Sequence, residues 1–261
     1  MPPKTDPSTF HYHACAHAFS GQFTRPFHDL IEVQAATSLP IIGGHGHSRV
    51  ENFQFREFIH FKKGYTHVSG GHQADDNSYN TLVTSTLEGL NVLDVLTADR
   101  VVARLYSKTP EKKSEGNFTL VGSKFENLRI AGCPVHVELD CELFEEIPTF
   151  ETARNAFEKK GKFRKIAEDP MHTKTPLPKQ GDGGVFLCSC VKEMEADCPG
   201  VIRKGHSFYV QGFGTIFLGE VLIRHAERTL TMIRLELGSA VSGTGTVAQV
   251  FSNGRTYPPP P

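Results

Sequence analysis

A chain of 261 residues, 38% apolar and 22% charged, is long enough to bury a sizeable core as one large domain or two small ones. Its formal net charge of −1, with histidines neutral, supplies no global field to gather nucleic acid or an anionic membrane, and neither is an expected partner. No stretch approaches the roughly 20 apolar residues of a membrane-spanning helix, since the longest, residues 214–223, is interrupted by Gly219 and Glu220.

The first eight residues read as a flexible leader. MPPKTDPSTF lacks the apolar core of a secretory signal, so the chain as it stands reads as cytoplasmic. A leader or another export route would place it at the surface or outside the cell. Six cysteines are too sparse for a disulfide framework at this length, and reduced thiols are the default. Beyond the leader, glycine and proline punctuate short segments rich in Val, Ile, Phe and Thr, the signature of strands and turns. They predict strands over residues 9–18, 29–37, 49–62, 79–93, 99–107, 117–130, 134–140, 185–192, 207–211, 214–225, 229–237 and 245–252.

The first of these contains HYHACAH, in which His11, His13, Cys15 and His17 alternate strictly. On a strand, residues two apart share a face about 6.6 Å apart and residues four apart lie about 13 Å apart. One metal ion therefore takes at most two neighbours from this row and needs ligands from elsewhere. IIGGHGHSRVE, residues 41–51, offers them, since His45 and His47 repeat the His-x-His pattern and Glu51 follows. His11, His13, His45, His47 and Glu51 are thus the first candidate metal site, for zinc or another transition metal. His-x-His-x3-Glu also resembles the first metal motif of the cupin superfamily, which implies a metal-binding enzyme or sensor. The resemblance covers residues 44–51, and the second cupin motif is unmatched. The plainer reading is a histidine-rich strand face turned to solvent.

A repeat follows. VENFQF at residue 50, LEGLNV at 87 and FENLRI at 125 each read apolar, Glu, Asn or Gly, apolar, polar, apolar. The near-constant spacing suggests one hairpin-like unit used three times. A bulge or tight bend at the Asn or Gly would explain why apolar spacing changes from three to two there. Between the first two copies, SGGHQADDNSYN gathers His72, Asp75, Asp76 and Asn77, but without the ligand spacing of a calcium loop it reads as a surface turn.

The β pattern breaks near residues 148–168. Thr149 suits a helix cap, Phe150, Ala153 and Phe157 share one helical face, and Gly161 ends or kinks the helix. The basic run KKGKFRK, with Lys159, Lys160, Lys162, Arg164 and Lys165 around Phe163, reads as a solvated helix face. MHTKTPLPKQGDGG then reads as a long loop, so residues 148–184 form a helical and loop insertion. Cys188, Cys190, Cys198 and His206 are a second candidate zinc set, in a spacing no standard finger uses; core or surface thiols are the competing reading. The glycine-rich GFGTIFLG and SGTGT sit between strands, not at a helix start, and do not read as phosphate cradles. No complete catalytic motif appears. Tyr257 and a proline tail at 258–261 close the chain.

FGTIFLGEVLIRHAERTLTMIRLELGSAVSGTGTVAQVFSNG, together with LEGLNVLDVLTADRVVARL and FENLRIAGCPVHV, resembles bacterial choice-of-anchor-type β domains over about half the chain. The resemblance implies a surface or extracellular module and carries over no catalytic residue. The expectation is a mainly β chain: an antiparallel β-sandwich or related two-sheet fold over residues 9–257 with a short helical insertion near 148–168. A β-solenoid is the alternative. The expected role is a non-enzymatic structural or binding module that self-assembles as a homo-oligomer through sheet edges. A metal-binding enzyme or sensor is the rival.

Overall fold

The computed structural model describes residues 9–159, 161–168, 184–196, 198–238 and 240–257. The expected leader, the proline tail and most of the loop that follows the helices lie outside the described residues. In chain order the strands begin with β1 (Thr9–His11), β2 (Ala14–Arg25), β3 (Asp29–Gln34), β4 (Thr37–Ser38), β5 (Gly44–Phe55), β6 (Ile59–Gln73), β7 (Ser78–Val92) and β8 (Leu96–Pro110). Short strands follow: β9 (Asn117–Thr119), β10 (Lys124–Glu126), β11 (Arg129–Ile130), β12 (Cys133–Pro134) and β13 (His136–Leu139). Helices α1 (Cys141–Glu146), α2 (Phe150–Glu158) and α3 (Lys162–Glu168) come next. The chain ends with β14 (Val185–Ser189), β15 (Val191–Glu195), β16 (Val201–Lys204), β17 (Ser207–Val210), β18 (Gly214–Arg224), β19 (Glu227–Gly238), β20 (Ser242–Ser252) and β21 (Arg255–Tyr257).

Two antiparallel sheets carry most of these strands. The first runs β12-β11-β8-β7-β6-β5, with β9 and β10 also on β8. The second runs β16-β17-β18-β19-β20-β2-β3, with β14 also on β18 and β4 also on β2. Strands β2 and β20 lie over β6, β7 and β8, so the sheets stack as a sandwich. Phe19, Phe61, Leu87, Leu105, Ile216 and Ile233 fill the interior and are fully buried, each contributing about 1.5–3 kcal/mol by leaving water. The antiparallel meander replaces the solenoid alternative.

The three-fold repeat is every second strand of the first sheet. Asn52, Gly89 and Asn127 hold φ of 51°, 67° and 49°, the left-handed region that favours Gly and Asn. That turn of the backbone lets residues three apart face inward together. Leu87, Leu90 and Val92 are all buried, as are Leu128 and Ile130, while Val50, Phe53 and Phe55 pack against the same core. On the intervening strands, Lys62-Lys63 and Asp99-Arg100 both leave the core between buried neighbours. The result is a crease across the sheet, bordered on its outer face by one row of paired residues: Glu51, Lys63, Glu88, Arg100 and Glu126. Signs alternate along the whole row, the arrangement that cross-strand neighbours favour. The second sheet has its own crease at Gly219 and Ala248, with φ of 63° and 49°. A Cβ on Gly64 would stand 2.8 Å from the Ala18 Cβ, so glycine is required where the sheets approach.

The helices close one corner. Thr149 caps α2 in a capping box with Thr152, and Gly161 separates α2 from α3. Phe150, Phe157 and Phe163 place their rings 5.3–5.5 Å from that of Phe186 on β14. Phe163 therefore anchors the basic run to the core, although Arg164 also lies over the Phe157 ring at 5.2 Å. Helix α1, capped by Asp140, was not expected from sequence. Other expectations change as well: residues 9–18 divide into β1 and the start of β2, and residues 185–192 into β14 and the start of β15. Residues 49–62 are two strands meeting at a turn where Arg56 has φ of 51°. Residues 117–130 break into β9, β10 and β11. Among the described residues no helix is long and apolar enough to cross a membrane.

One buried ion pair ties the corner to the sandwich. Glu115 Oε1 accepts hydrogen bonds from the backbone N–H of Phe150 at 2.7 Å, from that of Ala226 at 3.1 Å, and from the Arg228 guanidinium at 3.5 Å. Arg228 also donates to the carbonyls of Arg224, Glu227 and Pro148 and lies over the Phe118 ring at 4.7 Å. Burial lowers the Arg228 pKa to about 10, and Glu115 opposes that shift. Glu115→Ala leaves a buried cation and two amides without their acceptor, and is expected to cost about 3–5 kcal/mol in urea unfolding. Glu115→Gln, which keeps an acceptor, is expected to cost less.

Candidate functional site

The alternation in HYHACAH is that of a strand with one buried face. Tyr12, Ala14 and Ala16 are buried, while His13 and Cys15 are exposed. His11 stacks on Tyr257 at 4.9 Å, and His13 meets the edge of Phe251 at 5.4 Å. His45, His47 and Glu51 lie on the solvent face of β5, with His45 opposite Ser69, His47 opposite His67, and Glu51 ion-paired with Arg49. His11 lies on β1, which pairs with β21, His13 lies between β1 and β2, and His45 and His47 lie on β5 of the first sheet. The structure does not bring His11, His13, His45, His47 and Glu51 together. Among the described residues no three His, Cys, Asp or Glu side chains form a group that could hold a metal ion.

The second candidate set also stays apart. Cys188 and Cys190 are core residues, and burial pushes the Cys188 thiol up to about 12 and that of Cys190 higher still. A zinc ligand must be a thiolate, so burial works against ligation here. Cys198 is half-buried with its Sγ 3.8 Å from the Ile130 carbonyl, and buried His206 packs near the Phe217 ring at 6.3 Å. In a thiol titration with Ellman's reagent, Cys188 and Cys190 are expected to stay unreacted until denaturant is added, while exposed Cys15 reacts in the native protein. Reaction of all six thiols at one fast rate would contradict this placement.

The outer face of the second sheet carries a compact polar group. His17 Nε2 lies 3.0 Å from Thr246 Oγ1 and 3.3 Å from Ser20 Oγ. Arg234 donates to both carboxylate oxygens of Glu220, at 2.7 and 2.8 Å, and covers the Phe217 ring at 3.7 Å. Burial holds the His17 pKa below its ordinary 6.5. A depressed folded pKa means that its stabilising contribution is full above the unfolded value and is lost as pH falls through the folded one. Wild-type protein is therefore expected to lose more thermal stability between pH 7.5 and 5 than His17→Gln does.

The two sheets end very differently at their two sides. At one side the outer strands are β9, β10, β12, β14 and β16, two to five residues long. At the other, β3 and β5 run for six and twelve residues. Among the described residues β3 hydrogen-bonds as a strand only to β2, and β5 only to β6. Such edges leave a row of backbone N–H and C=O groups open to another strand. The edges lie together, because β3 and β4 pack against β5. The segment that links them is unusually apolar for a surface. Phe27, Leu30, Val33, Ile41 and Ile42 are five of the nine exposed large apolar side chains among the described residues, with Leu30 79% and Ile42 85% exposed. Arg56 bridges the edges by bonding Asp29 at 2.8 Å while lying over Phe27 at 4.1 Å. Sequence reasoning missed this side; the available signal was the pair of apolar clusters in FHDLIEV and PIIGG, without the polar alternation of a solvated strand.

A family model described as a domain of unknown function (DUF8256) matches residues 10–180 and 169–224. No curated protein and no solved structure matches the chain.

Proposed function

Starting from a chain that belongs to the DUF8256 family, whose description names no activity, we propose that it acts as a structural or binding β-module that associates through its open side. The observation that carries this reading is the coincidence of two long unpaired edge strands with most of the exposed large apolar side chains. Exposed apolar side chains beside an open sheet edge are a feature of interaction sites. A second copy of the chain is the favoured partner, since an edge strand pairs readily with its own kind in a two-fold arrangement. The reading also agrees with the surface role implied by the resemblance to choice-of-anchor-type domains.

Size-exclusion chromatography with light scattering over micromolar to millimolar concentration tests it. The wild-type protein is expected to run as a dimer or larger species. Leu30→Lys combined with Val33→Lys is expected to shift it to monomer without changing its far-UV circular dichroism. A wild-type monomer over the whole range would remove the proposal.

A further inference from the structure

The geometry points to one specific pairing: β5 of one copy lies antiparallel to β5 of a second, on a two-fold axis through Ser48. This deepens the association reading and rests on it. Three constraints lead to it. First, the crease at Asn52 limits the usable edge. Before it, His45, His47, Arg49 and Glu51 face solvent while Gly46, Ser48 and Val50 face inward; beyond it, Phe53 and Phe55 turn in at odd positions. Strands that pair must present matching faces, because residues opposite each other lie on the same side of a sheet. The copies can therefore pair only through residues before the crease.

Second, the two-fold must fall on a residue for faces to match, which leaves Ser48 and its immediate neighbours as centres. Centring on His47 sets His47 against its own mate and Arg49 against His45, with no acid opposite either. Centring on Arg49 sets two guanidinium groups against each other. Centring on Ser48 sets no outer-face residue against its own mate, places His47 opposite the partner's Arg49, and uses the edge from end to end, with Gly46 opposite the partner's Val50. Third, this register places Glu51 opposite the partner's His45. The alternating row of Glu126, Arg100, Glu88, Lys63 and Glu51 would then meet an imidazole in the second copy, a group that carries the opposite sign when protonated. β3 packs beside this edge within the same chain, and its Leu30 and Val33 are exposed.

The register is read by disulfide trapping. His47→Cys and Arg49→Cys are oxidised separately and as an equimolar mixture, with wild-type protein as the background. In the proposed pairing residue 47 faces the partner's residue 49, so the mixture is expected to give a covalent dimer. Each variant alone should not, because like residues stand about 8 Å apart by strand rise and spacing, beyond disulfide reach. As a second readout, His45→Glu sets a carboxylate against the partner's Glu51 twice, and is expected to raise the dimer dissociation constant about tenfold. His45→Lys should leave it equal or lower. A light-scattering dimer that gives no mixed cross-link, or cross-links equally in either variant alone, overturns this register and leaves the association reading standing. A dimer that His45→Glu and His45→Lys affect alike overturns it too. A wild-type monomer overturns both.

Discussion

Left-handed backbone at Asn52, Gly89 and Asn127 is the constraint on which the first sheet depends. A regular strand sends alternate side chains to opposite faces, and a fifteen-residue strand such as β7 would have to keep that alternation from end to end. The crease resets it, so that Leu87 and Leu90 both point inward although they stand an odd number of positions, three, apart. Each intervening strand makes the matching adjustment with two outward residues in succession, which places Lys63 and Arg100 between the glutamates of the repeat. The charge row is thus a consequence of the crease: the backbone turn decides which residues line up, and the side chains at those positions carry alternate sign. Because the second sheet has an equivalent crease at Gly219 and Ala248, both layers bend, and Gly64 and Ala18 come together where they stack.

The helical corner depends on a different interaction. Glu115 and Arg228 are buried together, and an isolated pair at that depth is weak evidence of stability, since desolvation offsets most of the Coulomb attraction. What distinguishes this pair is the set of backbone groups it satisfies. The carboxylate holds the first amide of α2 and an amide of the β18–β19 turn, and the guanidinium collects three carbonyls. The pair is therefore a connector between helix, loop and sheet, and the phenylalanines around Phe186 supply the apolar contact that the connector orients.

How much of this was legible in the sequence follows from the same physics. The repeat was visible, and so was its bend, because Asn and Gly favour the left-handed backbone and the apolar spacing shifts beside them. Helix α2 was visible through its cap and its Phe150, Ala153 and Phe157 stripe. The second half of β6, KKGYTHVSGGHQ, was not, because its inward positions are Gly64, Thr66, Val68 and Gly70, which carry little apolar signal where the sheets approach. The histidine rows misled for a related reason. Strict alternation marks a strand face, and it looks the same whether that face meets a metal or water; only the sheet order shows that His11, on β1, and His45 and His47, on β5, lie in different sheets. Cys188 and Cys190 lie beside each other in sequence for packing, not for ligation.

Sheet order also decides what an open edge can do. A long flat edge invites indefinite addition of strands, and proteins interrupt such edges with short strands, charges and bulges. Among the described residues the outer strands of the other side run two to five residues, shorter than β3 and β5. On the β3 and β5 side the crease at Asn52 divides the β5 edge, and Arg49 and Glu51 lie before it. The proposed pairing of β5 with a second β5 about a two-fold axis would use the longest of these edges in both copies. An isologous contact of that kind closes on itself, whereas a head-to-tail contact would propagate. The proposed β5 contact would therefore stop at two copies, because the crease leaves each β5 one stretch with matching faces and the two-fold axis uses it in both chains.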